Sequence, residues 1–241
     1  VVTVNQTPTA GITGGSSVCS GNCITLTATG GGTYKWSNGP TTAANYVCPT
    51  TATEYTVTVT SATGGCTATA KRKVTINTPP TVTVANKTIC AGQSTTLTAT
   101  TTATQFLWST GGTTQTITVN PVTTTTYTVT VTGSNGCTAT ATGTVTVNPQ
   151  PVVSVNNPAI CVGQNTTVTA TSNPSTGVSY AWSVPIGVLN PGNVSSFSTL
   201  IAGTYTVTVT ITATGCTNTA SGTVTINALP TTSTSVSETS G

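Results

Sequence analysis

Residues 123–148 read TTTTYTVTVTGSNGCTATATGTVTVN. On both sides of the GSNG cluster at 133–136, an apolar residue alternates with Thr, so each extended run has one apolar face and one hydroxyl face. The pattern predicts two half-buried antiparallel strands joined at that cluster. The stretch recurs. YTVTVT opens at Tyr55, Tyr127 and Tyr205, a Gly-Cys pair follows at Cys66, Cys137 and Cys216, and VTIN or VTVN closes each copy. Upstream stand VCSGNCITLTAT (18–29), ICAGQSTTLTAT (89–100) and ICVGQNTTVTAT (160–171), whose starts are 71 residues apart. Three copies of so long a register predict a string of units, each resting mainly on its neighbours.

Turn clusters such as SNGP at 37–40 and NPGN at 190–193 punctuate the runs, and nothing repeats with a helical period. Each copy therefore predicts a sandwich of six or seven strands. One Trp in mid-copy (Trp36, Trp108, Trp182) and one Tyr opening a late strand (Tyr55, Tyr127, Tyr205) match the core Trp and tyrosine-corner positions of an immunoglobulin-like fold. These six aromatics are expected in the cores rather than stacked on a ligand. The fold expected is all-β, three tandem immunoglobulin-like antiparallel β-sandwich repeats at 6–78, 79–149 and 150–228. VVTVN at 1–5 reads as the end strand of a preceding repeat, and 229–241 as the linker and first strand of a following repeat or a tail. The chain is thus expected to be a window on a longer array. The competing reading has the spare strand or the tail inserting into a neighbouring subunit by strand addition.

The eight cysteines meet no His and lack CxxC pairs, which argues against zinc and for disulfides in an oxidising compartment. The spacing offers Cys19–Cys66, Cys90–Cys137 and Cys161–Cys216, one bridge per repeat, each worth about 4 kcal/mol on the chain-entropy model. Cys23 and Cys48, aligned with Ser94 and Asn120, suggest a further bridge in repeat one, its partners not fixed by the sequence. A difficulty attends the first set. In a standard sandwich, the loop before the second strand and the loop after the penultimate strand lie at opposite ends. The alternative set joins repeats as Cys66–Cys90 and Cys137–Cys161.

Charged residues make up 3% of the chain, net charge is +3, and the carboxylates are Glu54 and Glu238 alone. A surface of hydroxyls and amides follows, with no electrostatic steering toward nucleic acid or anionic lipid. Without His or Asp there is no Ser/His/Asp triad, no Cys/His pair and no calcium cage, so neither catalysis nor a cofactor or metal is expected. No apolar run approaches the roughly 18 residues of a membrane span. Lys71, Arg72 and Lys73 form the one charge cluster and read as a solvated strand edge that discourages aggregation. Sequons at Asn5, Asn86, Asn165 and Asn193 make glycosylation chemically possible.

Together, ICAGQSTTLTAT, LWSTGGTTQTITVNPVTTTTYTVTVT and SNGCTATATGTVTVN resemble the Ig-like and PKD-like repeats of giant Bacteroidota surface proteins. The resemblance implies export by the type IX secretion route and a place in adhesins or extracellular filaments. Many such repeats carry a DxNGC turn, where this chain has SATGGC, GSNGC and TATGC. The expected function is a non-enzymatic structural component of an extracellular surface fibre, whose partners are copies of itself or adjacent repeats. The alternative is an adhesin stalk or a module that binds cell-surface glycans.

Overall fold

In repeat one, the period-2 pattern resolves into β1 (Gly11–Thr13), β2 (Ser17–Cys19), β3 (Ile24–Thr29), β4 (Thr33–Trp36), β5 (Ala44–Val47), β6 (Thr53–Thr60) and β7 (Thr67–Asn77). They form a three-stranded sheet, β1-β3-β5, and a four-stranded sheet, β2-β7-β6-β4. The coordinates are a computed structural model that describes residues 4–228, and the strands found there are accompanied by no helix. The expectations for 229–241 and for residues 1–3 of VVTVN lie outside the described residues.

Alternation decides which side chains face inward. Along β6, Tyr55, Val57 and Val59 are buried while the intervening Thr residues turn outward. They pack with Leu26, Trp36 and Val74 into one core cluster. Burying each aliphatic side chain contributes roughly 1.5–3 kcal/mol before the entropy of ordering it is set against that. Between β1 and β2 the first strand leaves one sheet for the other at Gly14, whose φ of 118° and a Cβ position 2.7 Å from the Thr25 carbonyl admit only glycine. The strand pairs are antiparallel save one. β2 runs parallel to β7, with Cys19 beside Asn77, a refinement of the antiparallel expectation.

The described residues fall into two compact units. The first reaches Asn86 and takes in Thr96–Thr118 and Thr126–Thr144, and the second holds Lys87–Thr95, Val119–Thr125 and the residues from Val145 on. Repeat two contributes to both. Its strands are β8 (Val82–Val84), β9 (Lys87–Cys90), β10 (Thr95–Thr101), β11 (Gln105–Trp108), β12 (Thr116–Val119), β13 (Thr125–Thr132) and β14 (Thr138–Asn148). Their orders, β12-β10-β8 and β11-β13-β14-β9, repeat the plan of the first copy, again with a parallel pair, β9 on β14.

Repeat three follows with β15 (Val152–Val155), β16 (Ala159–Cys161), β17 (Thr166–Asn173), β18 (Val178–Ser183), β19 (Ser196–Thr199), β20 (Gly203–Ile211) and β21 (Thr217–Asn227). The sheets are β15-β17-β19 and β16-β21-β20-β18. Trp182, Tyr205, Val207 and Val209 share its core.

All six aromatics assigned to the cores are buried. The indole N–H groups of Trp36, Trp108 and Trp182 donate to the carbonyls of Thr42, Thr114 and Val194 at 3.0, 2.9 and 2.8 Å, so the polar edge of each ring is satisfied inside the protein. In repeat three the Tyr205 hydroxyl donates to the Ile201 carbonyl at 2.8 Å and meets Thr199 Oγ1 at 2.8 Å, the bonding expected of a tyrosine corner. Tyr205→Phe is expected to destabilise this repeat by about 1–3 kcal/mol, because the buried Thr199 hydroxyl and the partly buried Ile201 carbonyl each lose a hydrogen bond. A lowered guanidinium midpoint with an unchanged slope checks this.

The basic cluster sits on β7. Lys71 pairs with Glu54 of β6 at 2.9 Å, both side chains being exposed, and Arg72 donates to the Gly14 carbonyl. One cation is thus neutralised across the sheet and another ties β7 to the switch between β1 and β2.

Candidate functional site: disulfide junctions between repeats

The first cysteine of each repeat ends a short parallel strand. Cys19 ends β2 beside Asn77, Cys90 ends β9 beside Asn148, and Cys161 ends β16 beside Asn227. A tight turn holds each of them: Asn22, Gln93 and Gln164 donate their N–H to the carbonyls of Cys19, Cys90 and Cys161 at 3.0, 3.1 and 3.1 Å. The third residue of each turn is Gly21, Gly92 or Gly163, with φ of 83°, 81° and 84°, as a type II turn requires.

The second cysteine of each repeat lies at the other end of the long last strand. Cys66 immediately precedes β7, whose eleven residues end at Asn77 beside Cys19. At about 3.3 Å per residue, roughly 33 Å separates the two ends, whereas a disulfide needs Cα atoms within about 7 Å. The expected bridges Cys19–Cys66, Cys90–Cys137 and Cys161–Cys216 are therefore not formed. Nor are Cys66–Cys90 and Cys137–Cys161. The structure instead bonds Cys19 to Cys137, with Cα atoms 5.7 Å apart, and Cys90 to Cys216, with Cα atoms 5.6 Å apart. Cys23 is bonded to Cys48 within repeat one. Cys66 and Cys161 carry free, partly exposed thiols, which corrects the expectation that all eight cysteines are bridged.

The same local contacts support both junctions. In the first, the Asn77 carbonyl accepts from Ser20 N at 2.9 Å and lies 3.8 Å from Cys137 Sγ. Asn135, in the turn before Cys137, donates through Nδ2 to the Thr78 carbonyl at 2.9 Å and accepts at its own carbonyl from Asn77 Nδ2 at 3.4 Å. In the second, the Asn148 carbonyl accepts from Ala91 N at 2.9 Å and lies 4.0 Å from Cys216 Sγ, while Asn218 Nδ2 donates to the Pro151 carbonyl at 2.9 Å. The Asn that closes one repeat is thus the seat on which the next repeat's turn cysteine rests. Nothing in the sequence reading singled out these asparagines as contacts. Their signal was the recurring Asn closing VTIN or VTVN, 13 residues before the next Cys.

The sequons at Asn5, Asn86, Asn165 and Asn193 are all exposed. Asn86 Oδ1 accepts from Thr144 N and Asn193 Oδ1 from Tyr180 N. Among the described residues no three His, Cys, Asp or Glu side chains come together as a metal site, and no helix is long and apolar enough to cross a membrane.

The strand orders and the bonded junctions define a tandem array of three immunoglobulin-like sandwiches in which successive repeats are cross-linked. No family model and no curated protein matches the chain. Among solved structures it is similar to titin domains I67–I69 in an E-to-A variant, at 12% identity and TM-score 0.42, covering 91% of this chain and 98% of that one. It is also similar to the three N-terminal domains of the bacteriophage RB49 outer capsid protein Hoc, at 17% identity and TM-score 0.38, covering 92% and 99%. Extracellular domains 3–5 of Drosophila OTK match at 13% identity and TM-score 0.37, covering 91% and 96%. The likeness is low, and the assignment rests on the strand order itself.

Proposed function

We propose that this chain is a non-catalytic structural segment of an extracellular surface fibre that associates with copies of itself or with adjacent repeats. One observation carries the reading: each junction between repeats is closed by a disulfide, so tension passes from repeat to repeat through covalent bonds as well as through folded contacts. Bridges of this kind persist in oxidising surroundings, which supports a place outside the cytoplasm. An almost uncharged surface favours neither nucleic acid nor anionic membrane. The resemblance to Bacteroidota surface repeats supports type IX export, with folding units at 6–78, 79–149 and 150–228. Electron microscopy of native material from the source cells tests this reading. Continuous filaments with a subunit spacing of three sandwiches are expected, and isolated strings without a lattice would overturn it in favour of an adhesin stalk.

A second reading, a glycan- or cell-binding module, is favoured by the loop after β18. Ile186 and Leu189 there are 101% and 92% exposed, beside a hollow of about 460 Å³ lined by Val188, Phe197 and Leu200. Exposed apolar side chains around a concavity are what a binding surface needs. Binding of the purified chain to a glycan array, lost on Ile186→Ser with Leu189→Ser, would support this reading against the fibre.

A further inference from the structure

We infer that Cys66 and Cys161 are the two open halves of the same joint that closes at Cys19–Cys137 and Cys90–Cys216, and that each is bonded in the mature protein to a cysteine of a further repeat of this kind. The inference rests on the fibre reading only for the presence of such a repeat.

The case stands on equivalence within one chain. Cys161 ends a short parallel strand beside Asn227 and is held by the same glycine turn as Cys19 and Cys90. Both of those bond the turn cysteine of the following repeat. Cys66 occupies the turn position of Cys137 and Cys216, each bonded to the preceding repeat. Its surroundings are already built as theirs are. Cys66 Sγ lies 3.7 Å from the Asn5 carbonyl, as Cys137 Sγ lies 3.8 Å from that of Asn77 and Cys216 Sγ 4.0 Å from that of Asn148. The Ser61 N–H donates to the Cys66 carbonyl at 2.8 Å, as Gly133 and Ile211 do to Cys137 and Cys216 at 2.8 and 2.9 Å. Two thiols with complementary seats are thus left over by a rule that the other four cysteines obey. Both are partly exposed.

The ligand of Cys161 is a thiol in the turn between the last two strands of a further repeat, and the ligand of Cys66 is a thiol at the end of a short parallel strand. A second copy supplies both, and so does a flanking repeat of a longer polypeptide. Closing the joint oxidises two thiols to one disulfide, and the two protons and two electrons pass to a disulfide-bearing thiol oxidant, which leaves as two thiols.

The test is disulfide mapping of native material, alkylated without reduction and digested with a protease of broad specificity, since Lys and Arg number only five. Cys161 is expected in a cross-linked peptide and never alkylated. Linkage to the Cys66 peptide, in species running on a non-reducing gel as multiples of 23.8 kDa, identifies a second copy as the source. Linkage to a turn peptide absent from this sequence identifies a flanking repeat. Alkylated Cys161 and Cys66, a symmetric Cys161–Cys161 pair, or a Cys66–Cys161 pair confined to the single subunit would each overturn the inference. Filaments seen by microscopy with both thiols alkylated would sink the joint alone, whereas a closed joint without filaments would sink only the fibre reading.

Discussion

Stretched between its ends with its disulfides intact, the chain extends to about 33 nm, and after reduction the same molecule extends to about 84 nm. The reason is the covalent path. Tension entering at the N-terminal end reaches Cys19, crosses to Cys137, returns along the backbone to Cys90, crosses to Cys216 and leaves at the C-terminal end. About 93 residues then bear the load instead of 241, at about 3.5 Å each when extended. The segments shunted by the bridges, which include most of repeats one and three, cannot be drawn out until a bridge is cut. Force spectroscopy of the purified chain with and without reductant measures both lengths. Equal extensions would mean that the junction bridges are absent in solution.

Removing the first junction bridge by Cys19→Ser with Cys137→Ser is expected to cost about 5 kcal/mol, because the bond closes 118 residues of chain. Removing Cys23–Cys48, which closes 25 residues, costs about 3.5 kcal/mol on the same entropic account. Either loss is a large share of the roughly 5–15 kcal/mol of a typical domain. The larger one falls on two repeats at once. Changing both cysteines of a pair avoids leaving a stray thiol to form wrong bridges. Guanidinium unfolding of the two double variants compares them, and the reverse order of midpoints would show that the junction bond joins ends already held by other contacts.

The array and its cores were legible because each strand carries its own pattern. Tyr55, Val57 and Val59 alternate with Thr, and a half-buried strand is the arrangement that satisfies that alternation. Trp36, Trp108 and Trp182 recur at one place in each copy, and a ring that large in a small domain belongs in its core. The parallel pairing of β2, β9 and β16 was not legible. Runs of three or four residues have too little alternation to declare a partner, and Gly14 gave no sign that the first strand changes sheets there.

The cysteines mark the boundary between the two kinds of knowledge. Their number and their recurrence follow from the sequence alone, as does the geometric objection to joining Cys19 with Cys66. Pairing depends on which ends of which sandwiches meet, and that is a property of the folded array. Only the tertiary structure shows that the Asn closing one repeat seats the turn of the next, so that a bridge impossible within a repeat becomes short between repeats. The physical reason is length: the eleven-residue last strand holds the two cysteines of one repeat apart and delivers the first of them to its neighbour.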